Sequence, residues 1–241
     1  MLTVQSDIHH LVTVNDGKSD TAEIIRVFSE IAAGRLKSDL KLLNYVDEVP
    51  VSYGSAINSV SNDSVELMVH EHQAVIMKHH KSTLVKSRHF HNELGVHCYA
   101  TYVNIPKKTV ILNNFAYAQI RAERREAVRV KIRRELPVRF TCENVNIEGN
   151  MIDISGSGIS ILSSLMPRID TNHSGYLHFK LSDIPLEVSG SFVRSVEKGD
   201  DEHICIFRMI TDRQNDSIIG RFIYQRQIEI IQELKDGLVA E

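Results

Sequence analysis

Between residues 20 and 34 the apolar positions Ile24, Val27, Phe28 and Ile31 recur at helical spacing, and Gly34 offers a stop. Asp20 and Glu23 stand at capping-box distance at its start, after a polar lead-in over residues 1–18. From about Leu40 the apolar period shortens to two, in short runs at 40–46, 49–53, 65–70, 74–78, 83–87, 96–103 and 109–112. Ser61-Asn62-Asp63 and the stretch 92–95 supply turn chemistry between them. Short strands at this density predict a small antiparallel barrel or sandwich. The alternation then fails over 113–128, which reads as irregular or weakly helical.

It resumes at 128–133, 137–142 and 144–147, with Gly149-Asn150 as a turn into 151–161. Strands at 176–181, 186–196 and 203–210 follow, the last two joined at Lys198-Gly199-Asp200-Asp201. A terminal helix carries Ile218, Ile219, Phe222, Ile223, Ile230, Ile231 and Leu234, with Asp212 or Asn215 to cap it and Gly237 to end it. The expected fold is mainly β: two small antiparallel β-barrel domains in tandem, with an N-terminal helix and a C-terminal helix capping the second barrel. The expected divisions are 1–112, a junction at 113–128, and 129–241.

Composition narrows the function. The 241 residues carry a formal net charge of −3, which disfavours coating nucleic acid through an overall positive field, so any basic chemistry is local. No apolar run is long enough to span a bilayer, and the N-terminus has neither a basic n-region nor an apolar h-region. Cys98, Cys142 and Cys205 are far apart and odd in number, as expected of reduced thiols, so the expected compartment is the cytoplasm. Seven of the 12 histidines fall between His70 and His97. On strands, His70 with His72 and His89 with His91 would share faces, as a zinc or copper site needs. Lys78, Lys81 and Lys86 nearby would repel a cation, and solvated strand faces are the preferred reading. No Ser/His/Asp or Cys/His catalytic pattern, paired carboxylates or metal cluster is visible, so a non-enzyme is expected.

The junction is where charge concentrates. Arg121, Arg124, Arg125 and Arg129 fall within nine residues. Guanidinium groups are planar, permanently charged forks suited to phosphates and to the O6/N7 edge of guanine. Alone, such a run is as easily a solvated surface. The second motif is Asp153-Ile-Ser155-Gly-Ser-Gly158, which alone is an ordinary turn. Their chemistry is complementary: a carboxylate accepts from the guanine Watson–Crick edge, a serine hydroxyl adds a short contact, and glycines allow close approach. Together they describe a site for a guanine nucleotide rich in negative charge.

Arg-x-x-x-Arg at 125–129, then Asp-x-Ser-x-x-Gly at 153–158, a β-rich tail and a closing helix resemble the PilZ domain over residues 119–234. The first half resembles, more faintly, the barrel that precedes PilZ in flagellar-brake proteins of the YcgR type. The resemblance implies a receptor for cyclic di-GMP with no other cofactor. Arg125 and Arg129 would take phosphates and guanine edges, Asp153 and Ser155 a guanine, and Gly158 would keep the turn open. An arginine at the position of Arg124 is associated in the family with two intercalated ligand molecules, and Arg121 is an auxiliary candidate. Ligand binding would alter the inter-domain arrangement and be read by a partner, with the flagellar motor at the basal body, motility or biofilm as the implied outputs. The apolar face of the terminal helix suits a dimer as well as a core. The alternative from the residues alone is a nucleic-acid-binding regulator using the arginine segment on phosphate backbone. The near-neutral charge and the lack of tryptophan count against it.

Overall fold

The computed structural model describes residues 8–121, 127–143, 145–164, 169–199 and 202–239. Two compact units form, one mainly before the arginine segment and one mainly after it.

In the first unit α1 (Gly17–Ala32) is capped by Asp16, whose side chain accepts from the Lys18 and Ser19 N–H groups. Asp20, expected at the cap, is instead 3% exposed, with its carboxylate accepting from the N–H groups of Val14 and Asn15. It ties down the lead-in rather than starting the helix. Gly34 closes the helix as expected, at φ +71° with its N–H on the Ile31 carbonyl. Eight strands make its sheet: β1 (His9–Leu11), β2 (Lys41–Val46), β3 (Val49–Gly54), β4 (Ala56–Val60), β5 (Ser64–Met68), β6 (Ser82–Lys86), β7 (Gly95–Asn104) and β8 (Thr109–Ile120), of which β1 and β4 lie outside the expected runs. Their order is β3-β2-β6-β7-β8-β5-β4, with β1 also on β8. This is a curled sheet, a half-barrel whose two edge strands are joined through Ser55. Phe28 of α1 packs on Phe90 and Phe115, with ring centroids 5.6 and 5.4 Å away.

Two expectations are corrected here. Residues 74–78 are not a strand but the middle of α2 (Glu71–His80), capped by His70, with Glu71 in the first turn and Lys81 left-handed at φ +57°. His72 to Met77 are all buried, so the helix lacks the one-sided stripe that identifies a surface helix. Residues 113–120 are not irregular; they continue β8, with Phe115, Tyr117, Ala118 and Ile120 buried. Asn114 sits at φ +54°, and β8 shifts register against β7 beside it, which breaks the period-two pattern.

The second unit is built on β9 (Arg129–Lys131), β10 (Pro137–Cys142), β11 (Val145–Ser155), β12 (Gly158–Ser163), β13 (Ser174–Leu181), β14 (Ile184–Gly199) and β15 (Glu202–Ile210). The path β10-β13-β14-β15-β12-β11 returns to β10, closing a six-stranded antiparallel barrel. The long β11 is shared along one edge: residues 145–150 pair with β10 and residues 153–155 with β9. Gly149-Asn150, expected as a turn, lies within β11, and Gly149 is needed because a Cβ there would strike the Leu162 carbonyl. Inside, Phe207 packs on Phe140 and Phe192 at 4.7 and 5.6 Å between centroids. The closing α3 (Arg213–Val239) starts where Asp212 accepts from the Asn215 N–H at 2.7 Å and buries Ile219, Ile223 and Ile230. It runs through Gly237, which was expected to stop it; one glycine in a helix costs only about 1 kcal/mol. No described helix is long and apolar enough to cross a membrane.

Candidate functional site

The geometry around Asp153 is set by a defect in β11. Met151 and Ile154 are both buried, at 2% and 0% exposure, although they are three residues apart. Strict alternation would turn Asp153 inward with Met151. The register of β11 against β12 shifts between Met151 and Asp153, and this bulge reverses the parity. Asp153 and Ser155 therefore share the outer face while Ile154 fills the core.

On the neighbouring strand Val130 points inward, fully buried, so Arg129 and Lys131 face outward. Arg129 lies opposite Ser155 and Lys131 opposite Asp153. The Arg129 Nε is 3.4 Å from Asp153 Oδ1, with 30% and 15% of the two side chains exposed. This half-sheltered ion pair holds the two side chains toward one another. The Ser155 hydroxyl donates to the Gly158 carbonyl at 3.2 Å and accepts from the Ser157 N–H at 3.4 Å, which locks the β11–β12 turn. Gly158 does not have positive φ, as a turn glycine would; it is required because a Cβ would lie 2.9 Å from the Phe207 carbonyl oxygen.

Four of the seven expected site residues, Arg129, Asp153, Ser155 and Gly158, are thus adjacent on three strands. Arg124 and Arg125 lie outside the described residues. Arg121, in the first unit, donates from Nε to His10 Nδ1 at 3.0 Å. Sequence reasoning missed two cations on the barrel face: Lys131, and the exposed Arg208, which pairs with Gly158 across β15. Period-two alternation from Arg129 would have found Lys131; the pairing that places Arg208 is long-range.

The histidines take structural places. His70 caps α2, its ring stacks on Tyr53 at 3.8 Å, and the Tyr53 hydroxyl shares a 2.9 Å hydrogen bond with His72 Nδ1. His89 bonds the Lys37 carbonyl through Nε2. Among the described residues no three His, Cys, Asp or Glu side chains are grouped to hold a metal. On the barrel's outer face Thr141, His178 and Glu187 form a cross-strand chain of 3.0 and 3.4 Å contacts, with the Glu187 side chain 65% exposed.

The PilZ domain family matches residues 123–225, which span the arginine segment, the barrel and the start of α3. The chain carries a PilZ domain. No curated protein matches the chain. Among solved structures it is similar to MrkH of K. pneumonia in complex with c-di-GMP, at 14% identity and a TM-score of 0.44, covering 93% of this chain and 99% of that one. It is also similar to Escherichia coli YcgR in complex with c-di-GMP, at 9% identity and 0.41, covering 92% and 99%. A third is the Bacillus subtilis inhibitor of motility MotI (DgrA), at 14% and 0.41, covering 80% and 97%. The bulged strand, the Ser155-locked turn and the outward arginine all lie within the PilZ domain.

Proposed function

We propose that this chain is a receptor for cyclic di-GMP that binds the ligand on the PilZ domain and passes its occupancy to a partner. The observation that carries this reading is the common outer face of Arg129, Asp153, Ser155 and Gly158, directly following the arginine segment. Arg125 and Arg129 take phosphate oxygens and guanine edges; Arg124 adds a guanidinium for a second, stacked ligand molecule; Arg121 is auxiliary. Asp153 accepts from a guanine Watson–Crick edge, Ser155 contacts it, and Gly158 keeps the turn open. Lys131 and Arg208 add positive charge to the same face.

Binding begins from an Arg129–Asp153 pair that is already oriented, so little side-chain ordering remains to be done there. A ligand phosphate gives the arginines an anionic partner, and Asp153 is left to accept from the base. Neutralising four like charges within nine residues allows that segment to settle against the barrel, which changes the arrangement of the two units. A motor or biofilm protein reads that change. The protein acts as a receptor and leaves the ligand chemically intact.

Competition tests the reading: cyclic di-GMP and a single-stranded oligonucleotide are titrated at 50 and 300 mM salt. Tight cyclic di-GMP binding with shallow salt dependence, displaced by GMP dinucleotide and not by the oligonucleotide, is expected. Preferential oligonucleotide binding with a steep salt slope refutes it in favour of a nucleic-acid regulator. Ligand recovered unchanged after prolonged incubation is the expected companion result.

A further inference from the structure

We infer that the outer face of α3 is a self-association surface on which two copies of this chain pair their α3 helices antiparallel. Ile219, Ile223 and Ile230 are 0–8% exposed and mark the buried face of α3. Tyr224 and Ile228, at 64% and 52% exposure, project about 120–160° away around the helix. With Ile231 they form an i, i+4, i+7 apolar stripe away from that buried face, the spacing by which one helix seats on another.

The charges choose the occupant and its direction. Residues 213–226 carry three arginines against one aspartate, and residues 227–239 carry three acids against one lysine. This polarity is the reverse of what the helix dipole favours, with cations toward the N-terminus and carboxylates toward the C-terminus. A second α3 laid antiparallel offsets both terms, setting each basic half beside an acidic half and opposing the two dipoles. With Ile228 near the two-fold axis, Arg221 of one copy falls beside Asp236 of the other, and both residues are exposed. A parallel pair would set like charges together along the whole length. The contact is one helix face per copy, so it belongs to the small, reversible class of interfaces.

Sedimentation equilibrium of the full chain across a hundredfold concentration range tests the inference, at low and high salt. A reversible monomer–dimer equilibrium, weakened by salt, is expected. Ile228→Glu and Tyr224→Glu each raise the dissociation constant at least tenfold while the melting temperature stays unchanged, since both side chains are exposed. Arg221→Asp alone weakens the dimer, and Arg221→Asp combined with Asp236→Arg restores it. A monomer at every concentration, a dimer insensitive to Ile228→Glu, or a double exchange that fails to recover would each overturn the inference.

Discussion

Gly156 and Gly158 belong to the same motif, yet alanine should act on them in opposite ways. A Cβ at Gly158 would lie 2.9 Å from the Phe207 carbonyl oxygen, and that atom is backbone, so no side chain can swing aside. Relief requires β12 and β15 to separate by about half an ångström against six consecutive residue pairs, from Gly158–Arg208 to Ser163–His203. Phe207 is itself 1% exposed and packed on Phe140 and Phe192, so the shift reaches the core. Overpacking of this kind costs about 1–3 kcal/mol. Losing the glycine's extra chain entropy returns about 0.5–1 kcal/mol. The net expectation is about 1–2 kcal/mol of destabilisation, a fall of roughly 5–15 °C in the melting temperature of a unit this size. A Cβ at Gly156 meets only the Ala127 Cβ, at 3.8 Å, and the backbone there is not left-handed. Gly156→Ala should therefore melt at the same temperature as the parent or slightly higher. Scanning calorimetry of the full chain, following the barrel transition, measures both. Equal melting temperatures for the two variants would refute the close-approach argument.

Other consequences are as direct. Phe207→Ala removes the ring shared by Phe140 and Phe192 and should cost about 3–5 kcal/mol, enough to shift the barrel's denaturant midpoint far down; a loss under 1 kcal/mol would contradict the packing. Burial lowers the His97 pKa from 6.5 to about 4, with His9 adding to the effect, so its neutral form stabilises the first unit. That contribution is fully present above pH 6.5 and is lost as pH falls toward 4; urea midpoints at pH 7.5 and 5 should differ, and His97→Gln should flatten the difference. Burial raises the Cys98 thiol above its ordinary range and the Cys205 thiol to about 11, so alkylation of both at pH 8 should follow unfolding, and rapid labelling of the native chain would contradict their burial.

The residue types of the site were legible because their chemistry is local: arginines four apart, then a carboxylate, hydroxyl and glycine on one short segment. Their facing was not. Asp153 points outward only because of the bulge between Met151 and Asp153, and a bulge is fixed by pairing with β12, not by any residue within it. The same limit explains Asn114, whose left-handed backbone concealed the second half of β8, and Gly149, which looked like a turn but accommodates the Leu162 carbonyl. The α2 helix was missed because it is buried nearly all round, which erases the amphipathic period. Strands with one wet face, such as β10 and β13, were found readily, since their alternation follows from their own burial. Asp16 prevailed over Asp20 as the α1 cap because Asp20 was needed for the N–H groups of Val14 and Asn15.

Isothermal titration of cyclic di-GMP into the full chain, with stoichiometry, tests the proposed receptor function most directly. The parent should bind with two molecules per site, and Arg124→Leu should reduce this to one. Arg125→Ala and Arg129→Ala should each weaken binding at least tenfold, since each removes charge-assisted contacts to phosphate. Asp153→Ala should do likewise while leaving the fold intact. Unchanged affinity in Arg125→Ala and Arg129→Ala, or no binding by the parent, would contradict the account.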